Sequence, residues 1–436
     1  MQKFFIQTFG CQMNVYDGQR IAAMLTKHGM SQTDDIKDAD IIILNTCSVR
    51  EKATNKVYSA LGRIRRDKKK SAIFGIVGCV ARESGADAFK RIPELNFVLG
   101  PQSYHKLPGI IKNPDIKLLN IDLGGLEKFD ELPQMTQSPV VAYIPIQEGC
   151  NHCCTYCIVP FTRGRELSRP FNDIVKDTVN AAKTGAIEIC FLGQNVNGYK
   201  YTDGNGKLYK LSNLIQEAAK LPEIRRIRFT SSYPTEMSED LIQMFGQEPK
   251  LLPFLNMPVQ SGSRRILKKM NRPDDLDAYK NIVKKLKDVR PDIQISSDFI
   301  VGFPDETDED FNDTVNIARE IKYINSYSFK YSPRPHTAAA IMPNQISEQI
   351  KSVRLQQLDS VLNENQREFN MSCIGKEMLC LCEGTDKTGR HLVFRTPYMQ
   401  QCIVEKTDTE IAPLQIIRIT DANKASLRGK IIKSEK

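Results

Sequence analysis

The chain of 436 residues contains no tryptophan and no long uninterrupted apolar run. A membrane-spanning helix needs about 20 consecutive apolar residues. The first apolar patch, in MQKFFIQTFG, is too short and too soon interrupted for a signal peptide. We therefore expect a cytoplasmic protein without a membrane segment. Hydrophobic residues at 41% and charged residues at 26% are typical of a globular protein, which excludes the disordered and fibrous classes.

The cysteine content is the most informative part of the composition. Twelve cysteines in a reducing cytoplasm predict metal ligands or buried apolar side chains rather than a disulfide framework. The formal net charge of +9 permits a polyanionic partner, although an even distribution of charge over the surface would give the same total. The spacing of the cysteines has to distinguish these roles.

The pattern of apolar runs predicts an α/β protein of three parts. Residues 1–118 alternate short apolar runs with amphipathic stretches, which indicates a small domain with a parallel sheet. A linker at 119–139 precedes six predicted βα repeats at 140–370, which form a partial (β/α)6 barrel and end in a long helix. Short β-like runs at 371–436 predict a small OB-like β-barrel.

Three cysteines of the central domain have the spacing C-x3-C-x2-C. Cys150, Cys154 and Cys157 follow the predicted strand YIPIQ, so they lie on the face of the barrel where active sites occur. Three thiolates on a cubane iron–sulfur cluster leave one iron open for a small molecule. A zinc site, or a cluster that uses Cys153, is the alternative. The uneven spacing and the lack of a partner cysteine pair favour Cys153 as a bystander.

This triplet resembles the radical S-adenosylmethionine superfamily. The resemblance implies that the open iron binds the methionine part of S-adenosylmethionine and that reductive cleavage yields a 5′-deoxyadenosyl radical. It also implies that the aromatic residue before the last cysteine, Tyr156, lies near the adenine. Hydrogen-atom abstraction needs no general base, and the sequence offers no obvious one.

A second triplet lies in the first domain, where each cysteine directly follows a predicted strand. Cys11, Cys47 and Cys79 therefore share one edge of a parallel sheet and can converge on one metal centre. Any one of them alone would more often be a buried structural residue. Their equivalent positions favour the metal centre.

The segments TFGCQMN, NTCSVREKA and EGCNHCCTYCIVPFTRGRE resemble the radical methylthiotransferase family nearly end to end. The family implies two [4Fe-4S] clusters, with Cys11, Cys47 and Cys79 holding the auxiliary one that carries the sulfur to be inserted. S-adenosylmethionine serves as methyl donor and as radical source. The loops after the barrel strands supply the implied S-adenosylmethionine or substrate contacts, for which ordinary polar loop caps are the alternative. These candidates are Tyr156, Gln194, Asn195, Gln260, Ser261 and Ser263.

Two positions depart from the family pattern. Asn256 stands where histidine is usual, and His336 stands where glycine is usual. If that position needs a positive φ, His336 carries a small strain. The five remaining cysteines lie in strand-like runs and are predicted to be structural: Cys190, Cys373, Cys380, Cys382 and Cys402.

The C-terminal part resembles the family's RNA-binding TRAM module. RHLVFRTPYM and KASLRGKIIK combine aromatic and basic residues, which suits stacking on bases and contacts with phosphates. A solvated charged face is the alternative here and for the basic run of the first domain. That run consists of Arg63, Arg65, Arg66, Lys68, Lys69 and Lys70.

The N-terminal motifs resemble the family branch that converts N6-isopentenyladenosine at position 37 of tRNA to its 2-methylthio derivative. The implied partners are a tRNA anticodon stem-loop, an electron donor and a protein that supplies sulfur or assembles clusters, and we expect a monomer. Alternatives are methylthiolation of threonylcarbamoyl-adenosine or of a ribosomal-protein aspartate. An iron–sulfur protein that binds RNA or senses redox state is the non-enzymatic alternative.

Overall fold

The apolar runs of the first domain form a parallel sheet in the computed structural model, which describes residues 1–48, 51–113, 117–125, 127–133, 138–406 and 411–434. The six strands are β1 (Lys3–Thr8), β2 (Ser31–Gln32), β3 (Ile41–Thr46), β4 (Ile73–Gly78), β5 (Phe97–Leu99) and β6 (Leu118–Asn120). They lie in the order β2-β1-β3-β4-β5-β6, all parallel. The edge strands β2 and β6 were not predicted, because neither has an extended apolar run. Strand β6 ends two residues beyond the predicted limit of the domain.

Helices cover both faces of this sheet, which explains why β3 and β4 are buried at every position. Two separate apolar cores lie on its two faces. The helices are α1 (Gln12–Lys27), α2 (Glu51–Asp67), α3 (Cys79–Ser84), α4 (Asp87–Arg91) and α5 (Leu107–Lys112). The predicted linker contains a short helix, α6 (Glu127–Glu131), whose Lys128 and Phe129 are buried.

The central domain contains all six predicted barrel strands. The run IQISSDFIVGF divides into two strands, and four short strands lie in the loops. The strands are β7 (Val141–Pro145), β8 (Gln147–Glu148), β9 (Leu167–Ser168), β10 (Glu188–Leu192), β11 (Lys200–Thr202), β12 (Leu208–Lys210), β13 (Arg226–Phe229), β14 (Phe254–Asn256), β15 (Gln294–Ser296), β16 (Asp298–Val301) and β17 (Tyr327–Lys330). The pairs β7-β10-β13, β14-β15 and β16-β17 are all parallel.

Two isolated parallel bridges, Ile227 to Leu251 and Gln260 to Phe299, connect these sheets. Helices pack on these sheets, and all of them except the short helices at 159–163 and 264–269 contribute to one large apolar core. They are α7 (Val159–Arg163), α8 (Phe171–Lys183), α9 (Leu211–Ala219), α10 (Glu239–Gln247), α11 (Arg264–Lys269), α12 (Leu276–Val289), α13 (Asp308–Ile321) and α14 (Glu348–Ser372). The last of these is the predicted long closing helix.

The C-terminal strands form a closed five-stranded barrel in the order β18-β19-β20-β22-β21. They are β18 (Glu377–Thr385), β19 (His391–Arg395), β20 (Gln401–Glu405), β21 (Leu414–Ala422) and β22 (Leu427–Ser434). The predicted fold class is therefore confirmed in all three parts. Within the described ranges, no helix is both long and apolar enough to cross a membrane.

A buried arginine joins the barrel to the central domain. The Arg226 guanidinium pairs with Glu188 (Nε to Oε2, 2.8 Å) and donates to the backbone oxygens of Arg395 (2.9 Å) and Thr396 (3.1 Å). Arg226 and Glu188 are both almost fully buried. The position of the barrel therefore depends on a charged side chain of strand β13.

We expect Arg226→Ala to lower the free energy of unfolding by about 3 kcal/mol, because it removes one partner of a buried ion pair. Arg228 still neutralises Glu188, which limits the loss. Urea unfolding followed by circular dichroism measures the change. The control is Arg264→Ala, whose ion pair with Asp277 is exposed and which should change stability by at most about 0.5 kcal/mol. Equal effects of the two substitutions would contradict this role of Arg226.

Candidate metal centres

The central cysteines lie in one tightly turned loop between β8 and α7. The Cys154 amide donates to the His152 oxygen (2.9 Å), and the Cys157 amide donates to the Cys154 oxygen (3.0 Å). These turns bring Cys150, Cys154 and Cys157 close together, so that the neighbouring cysteines contribute to raising the pKa of the Cys150 and Cys157 thiols. The structure therefore brings the predicted triplet together.

The loop is anchored on both sides by backbone hydrogen bonds. The Thr155 amide donates to the Met270 oxygen (3.0 Å), and the Ala339 amide donates to the Thr155 oxygen (2.9 Å). The Asn271 side chain holds the Cys153 oxygen at 2.9 Å. Cys153 itself is exposed, and its role as a bystander stays a prediction.

Burial makes two of the central thiols weak acids in the metal-free protein. It raises the pKa of Cys150 to about 11 and the pKa of Cys157 to about 12. A metal bound here therefore has to displace protons, which is the usual chemistry of thiolate ligands. Tyr156 packs beside them against Ile266, Met270 and Phe303.

A polar cluster lies next to this loop. The Asn195 amide nitrogen donates to Glu236 (2.6 Å) and Glu166 (3.1 Å), and the His152 ring stacks on Tyr233 with 3.5 Å between centroids. Asn195 is almost fully buried, yet its Oδ1 has no hydrogen-bond partner among the described residues. A buried acceptor without a partner is unfavourable unless a ligand supplies a donor. The amino group of S-adenosylmethionine is such a donor, so this residue fits the cofactor that the family resemblance implies.

The other predicted contact residues have different environments. The Gln194 oxygen accepts from the Gly149 amide (2.6 Å), directly before Cys150. Gln260 has a left-handed backbone, with φ of 74°, and bridges to Phe299. Ser261 and Ser263 are buried, and their hydroxyls bond to Thr314 (3.2 Å) and Asp310 (2.5 Å) of α13. Their contact with a cofactor remains a prediction.

The N-terminal triplet lies at the carboxyl ends of three adjacent strands. Cys11 is the N-cap of α1, Cys47 follows β3 and Cys79 is the first residue of α3. A Cβ added at Gly10 would lie 2.2 Å from the Cys47 Cβ, so only glycine lets the first and second cysteine loops approach this closely. Gly10 has φ of 122°, which also favours glycine.

The N-terminal thiols of Cys11 and Cys79 differ in acidity. A hydrogen bond with Cys47 lowers the pKa of Cys11 to about 6, and the positive charge of Arg163 contributes. Burial raises the pKa of Cys79. Cys11 is exposed, whereas Cys47 and Cys79 are buried. Of Cys11 and Cys79, Cys11 is therefore both the more exposed residue and the one with the more acidic thiol.

The two triplets lie on facing sides of one domain junction. Helix α3, which begins at Cys79, packs against α7, which follows Cys157. Arg82 of α3 donates to the Phe161 oxygen of α7 at 3.3 Å. In the described part of the chain, no three His, Cys, Asp or Glu side chains are arranged to hold a single metal ion. In a cubane cluster, by contrast, each cysteine binds a different iron.

The two departures from the family pattern have clear local settings. Asn256 donates to the Ser296 hydroxyl at 3.2 Å. His336 has φ of 66°, and its ring centroid lies 5.8 Å from that of Phe161. A left-handed non-glycine residue costs about 1 kcal/mol, so His336 does carry the strain considered from the sequence.

The structure also identifies charged residues near the cysteines that the sequence reasoning missed. Glu148, Arg163 and Glu166 lie within the motif EGCNHCCTYCIVPFTRGRE, so their closeness to the cysteines was a usable signal. Asp17 and Lys128 had no such signal, because only the fold places them beside Arg163 and Glu148.

Comparison with known proteins shows the family. A model described as "Uncharacterized protein family UPF0004" matches residues 3–100, and the model of the radical SAM superfamily matches residues 144–318. The tRNA-2-methylthio-N(6)-dimethylallyladenosine synthase of Rickettsia canadensis (strain McKiel) is 45% identical over 442 residues, with 99% of each chain covered. The chain belongs to this family of synthases. The synthase of Zymomonas mobilis subsp. mobilis is 44% identical and covers 99% of this chain and 97% of that one.

Membership of this synthase family makes the protein a radical S-adenosylmethionine enzyme, with S-adenosylmethionine and [4Fe-4S] clusters as cofactors. The family predicted from the sequence motifs is thus confirmed. Among solved structures, the radical S-adenosylmethionine methyltransferase TsrM from Kitasatospora setae, with cobalamin and a [4Fe-4S] cluster bound, has a TM-score of 0.56. It is 13% identical and covers 78% of this chain and 77% of that one, which supports the fold alone.

The acidity of Cys11 leads to a test in the metal-free protein. At pH 7 the Cys11 thiol, with a pKa of about 6, is mostly ionised, whereas the Cys150 and Cys157 thiols are protonated. Because the thiolate is the nucleophile, we expect iodoacetamide to modify Cys11 at least about tenfold faster than Cys150 or Cys157. Peptide mass spectrometry measures the rates, with exposed Cys153 as the accessibility reference. Labelling of Cys11 that slows tenfold between pH 8 and pH 7 would argue against a pKa near 6.

Proposed function

We propose that this chain converts N6-isopentenyladenosine at position 37 of tRNA to its 2-methylthio derivative. The observation that carries the proposal is 44–45% identity, over nearly the whole length, to synthases named for the 2-methylthio product. The facing cysteine triplets support it, because the reaction needs one centre that generates a radical and one that carries sulfur. A cytoplasmic location follows from the substrate.

The proposal assigns different roles to the two triplets. Cys150, Cys154 and Cys157 would hold the cluster that binds S-adenosylmethionine, and Cys11, Cys47 and Cys79 would hold the auxiliary cluster. When bound, S-adenosylmethionine would supply the radical and the methyl group, and the auxiliary cluster would supply the sulfur. Asn195 orients the cofactor through its free Oδ1, and the apolar packing of Tyr156 excludes water from the cysteine loop.

The C-terminal barrel provides part of the proposed tRNA surface. Phe394 lies in the barrel core and Tyr398 packs on Phe369, so the expected stacking of these rings on bases is not supported by their positions. Cations are the better candidates for contacts with phosphates. Exposed cations of the barrel include Lys387, Arg390, Arg418, Lys424, Arg428 and Lys430.

The basic run of the first domain is a weaker candidate for tRNA binding. Arg65 pairs with Glu94 (2.6 Å), Arg66 with Asp67 (3.0 Å) and Lys69 with Asp40 (2.8 Å). These ion pairs neutralise half of the six cations. For this run, the ion pairs therefore favour the alternative of a solvated charged face.

The role of Asn195 can be tested by binding. We expect Asn195→Ala to weaken S-adenosylmethionine binding by the reconstituted enzyme about tenfold, which corresponds to the loss of one hydrogen bond of about 1.4 kcal/mol. Anaerobic calorimetry measures the affinity. The matched control is Asn365→Ala, since Asn365 is also buried but bonds to the Ala318 oxygen of α13. An unchanged affinity in Asn195→Ala would rule out the contact.

The roles of the two cysteine triplets can be distinguished by the products that variants of each triplet form. We expect the wild-type chain to bind about eight iron atoms, and both Cys150→Ala and Cys79→Ala to bind fewer. Cys150→Ala should form no 5′-deoxyadenosine. Cys79→Ala should still form it, but without methylthiolated tRNA. Iron analysis and mass spectrometry of the nucleosides provide the measurements.

The substrate itself is tested in a deletion strain. Loss of the 2-methylthio-isopentenyl nucleoside from tRNA supports the proposal, and its undiminished presence would overturn it. Methylthiolation of threonylcarbamoyl-adenosine or of the ribosomal protein would then become the leading candidates. A wild-type protein that forms no 5′-deoxyadenosine under strong reductant would favour the non-enzymatic alternative.

A further inference from the structure

Four buried charges form a closed group at the junction of the first and central domains. They are Asp17 of α1, Lys128 of α6, Glu148 of β8 and Arg163 of α7, all at most 5% exposed. Lys128 Nζ lies 2.7 Å from Glu148 Oε1 and 3.4 Å from Asp17 Oδ1. The Arg163 guanidinium contacts Glu148 and lies 3.4 Å from Asp17 Oδ2.

Removing four charges from water carries a large cost. The effective penalty is several kcal/mol for each ion, and good pairing only offsets it. Two cations and two anions balance within this group, and the Tyr104 hydroxyl donates a further bond to Asp17 (3.2 Å). Such a group is therefore weak evidence for stability, and its position suggests another role.

Arg163 connects this group to the N-terminal triplet. Arg163 is the last residue of α7, which packs against α3, whose first residue is Cys79. Its ion pair with Asp17 also ties it to α1, whose N-cap is Cys11. Glu148, which holds Arg163, precedes the first central cysteine by two residues. The Arg163 cation therefore lies at the junction beside the helices that begin at the N-terminal cysteines, and two carboxylates fix its position.

We propose that Arg163 is the residue that sets the charge around the auxiliary cluster and thereby raises its reduction potential. The inference rests on the proposed function, because it assumes a cluster on Cys11, Cys47 and Cys79. Reduction adds negative charge to a cluster, and a fixed positive charge in a water-poor junction stabilises the added electron.

The neighbouring carboxylates predict a second, opposite effect. Glu148 partly cancels the charge of Arg163, so its neutralisation leaves a net positive group beside the cluster. Glu148→Gln should therefore raise the potential, whereas Arg163→Gln should lower it. A group that only clamps the two domains together would not produce shifts of opposite sign.

The experiment uses the full-length chain with Cys150, Cys154 and Cys157 replaced by alanine, so that any cluster signal comes from the auxiliary site. The protein is reconstituted anaerobically with iron and sulfide, and its midpoint potential is measured by titration with electron paramagnetic resonance detection. About four irons per chain are expected. If this parent binds no iron, the assumed auxiliary site fails, and that result is distinct from a failure of the Arg163 proposal.

The variants are Arg163→Gln, Arg163→Lys and Glu148→Gln. The matched control is Arg169→Gln, because Arg169 is equally buried and ion-paired, with Asp177 at 2.9 Å, but its guanidinium donates to the Pro145 oxygen. We expect a lower potential in Arg163→Gln, a value nearer the parent in Arg163→Lys, a higher potential in Glu148→Gln and no shift in Arg169→Gln.

Two results would overturn the proposal: no shift in Arg163→Gln at full iron content, or shifts of the same sign in Arg163→Gln and Glu148→Gln. If Arg163→Gln does not retain iron, Glu148→Gln decides alone. A raised potential then supports the proposal, and an unchanged or lowered one contradicts it.

Discussion

The buried ion pairs between the first and central domains are the interaction on which the arrangement of both cysteine triplets depends. Asp17 and Lys128 meet Glu148 and Arg163 there, and all four are shielded from water. Because a buried charge without a partner is unfavourable, these pairs favour one arrangement of the two domains. The packing of α3 on α7 then brings the cysteines of each domain to the same junction.

The two triplets have different electrostatic settings, and this matches their different proposed roles. The N-terminal site has an acidic, accessible Cys11 and a neighbouring guanidinium. At the central site, burial raises the pKa of the Cys150 and Cys157 thiols, and the loop is anchored to α11. Exposure does not separate the two sites, because the three central cysteines are partly exposed, whereas Cys11 is exposed and Cys47 and Cys79 are buried.

The barrel is placed by a second buried charge rather than by an apolar contact alone. Arg226 bonds to the backbone oxygens of Arg395 and Thr396 while Glu188 neutralises it. Hydrogen bonds of this kind are directional, so they determine the orientation of the barrel as well as its distance. The orientation in turn decides where the exposed cations of the barrel can meet a polyanion.

The sequence alone determined the three-part α/β organisation, both cysteine triplets and the family, because strand runs and metal-ligand motifs are local patterns. It also located His336 as an unusual residue. Only the tertiary structure decided that Phe394 is a core residue, that Ser261 and Ser263 bond to α13, and that Asp17 and Lys128 lie beside Arg163. The physical reason is that burial and ion pairing depend on contacts between segments far apart in the chain. Lys128, in a stretch predicted to be only a linker, shows this most clearly.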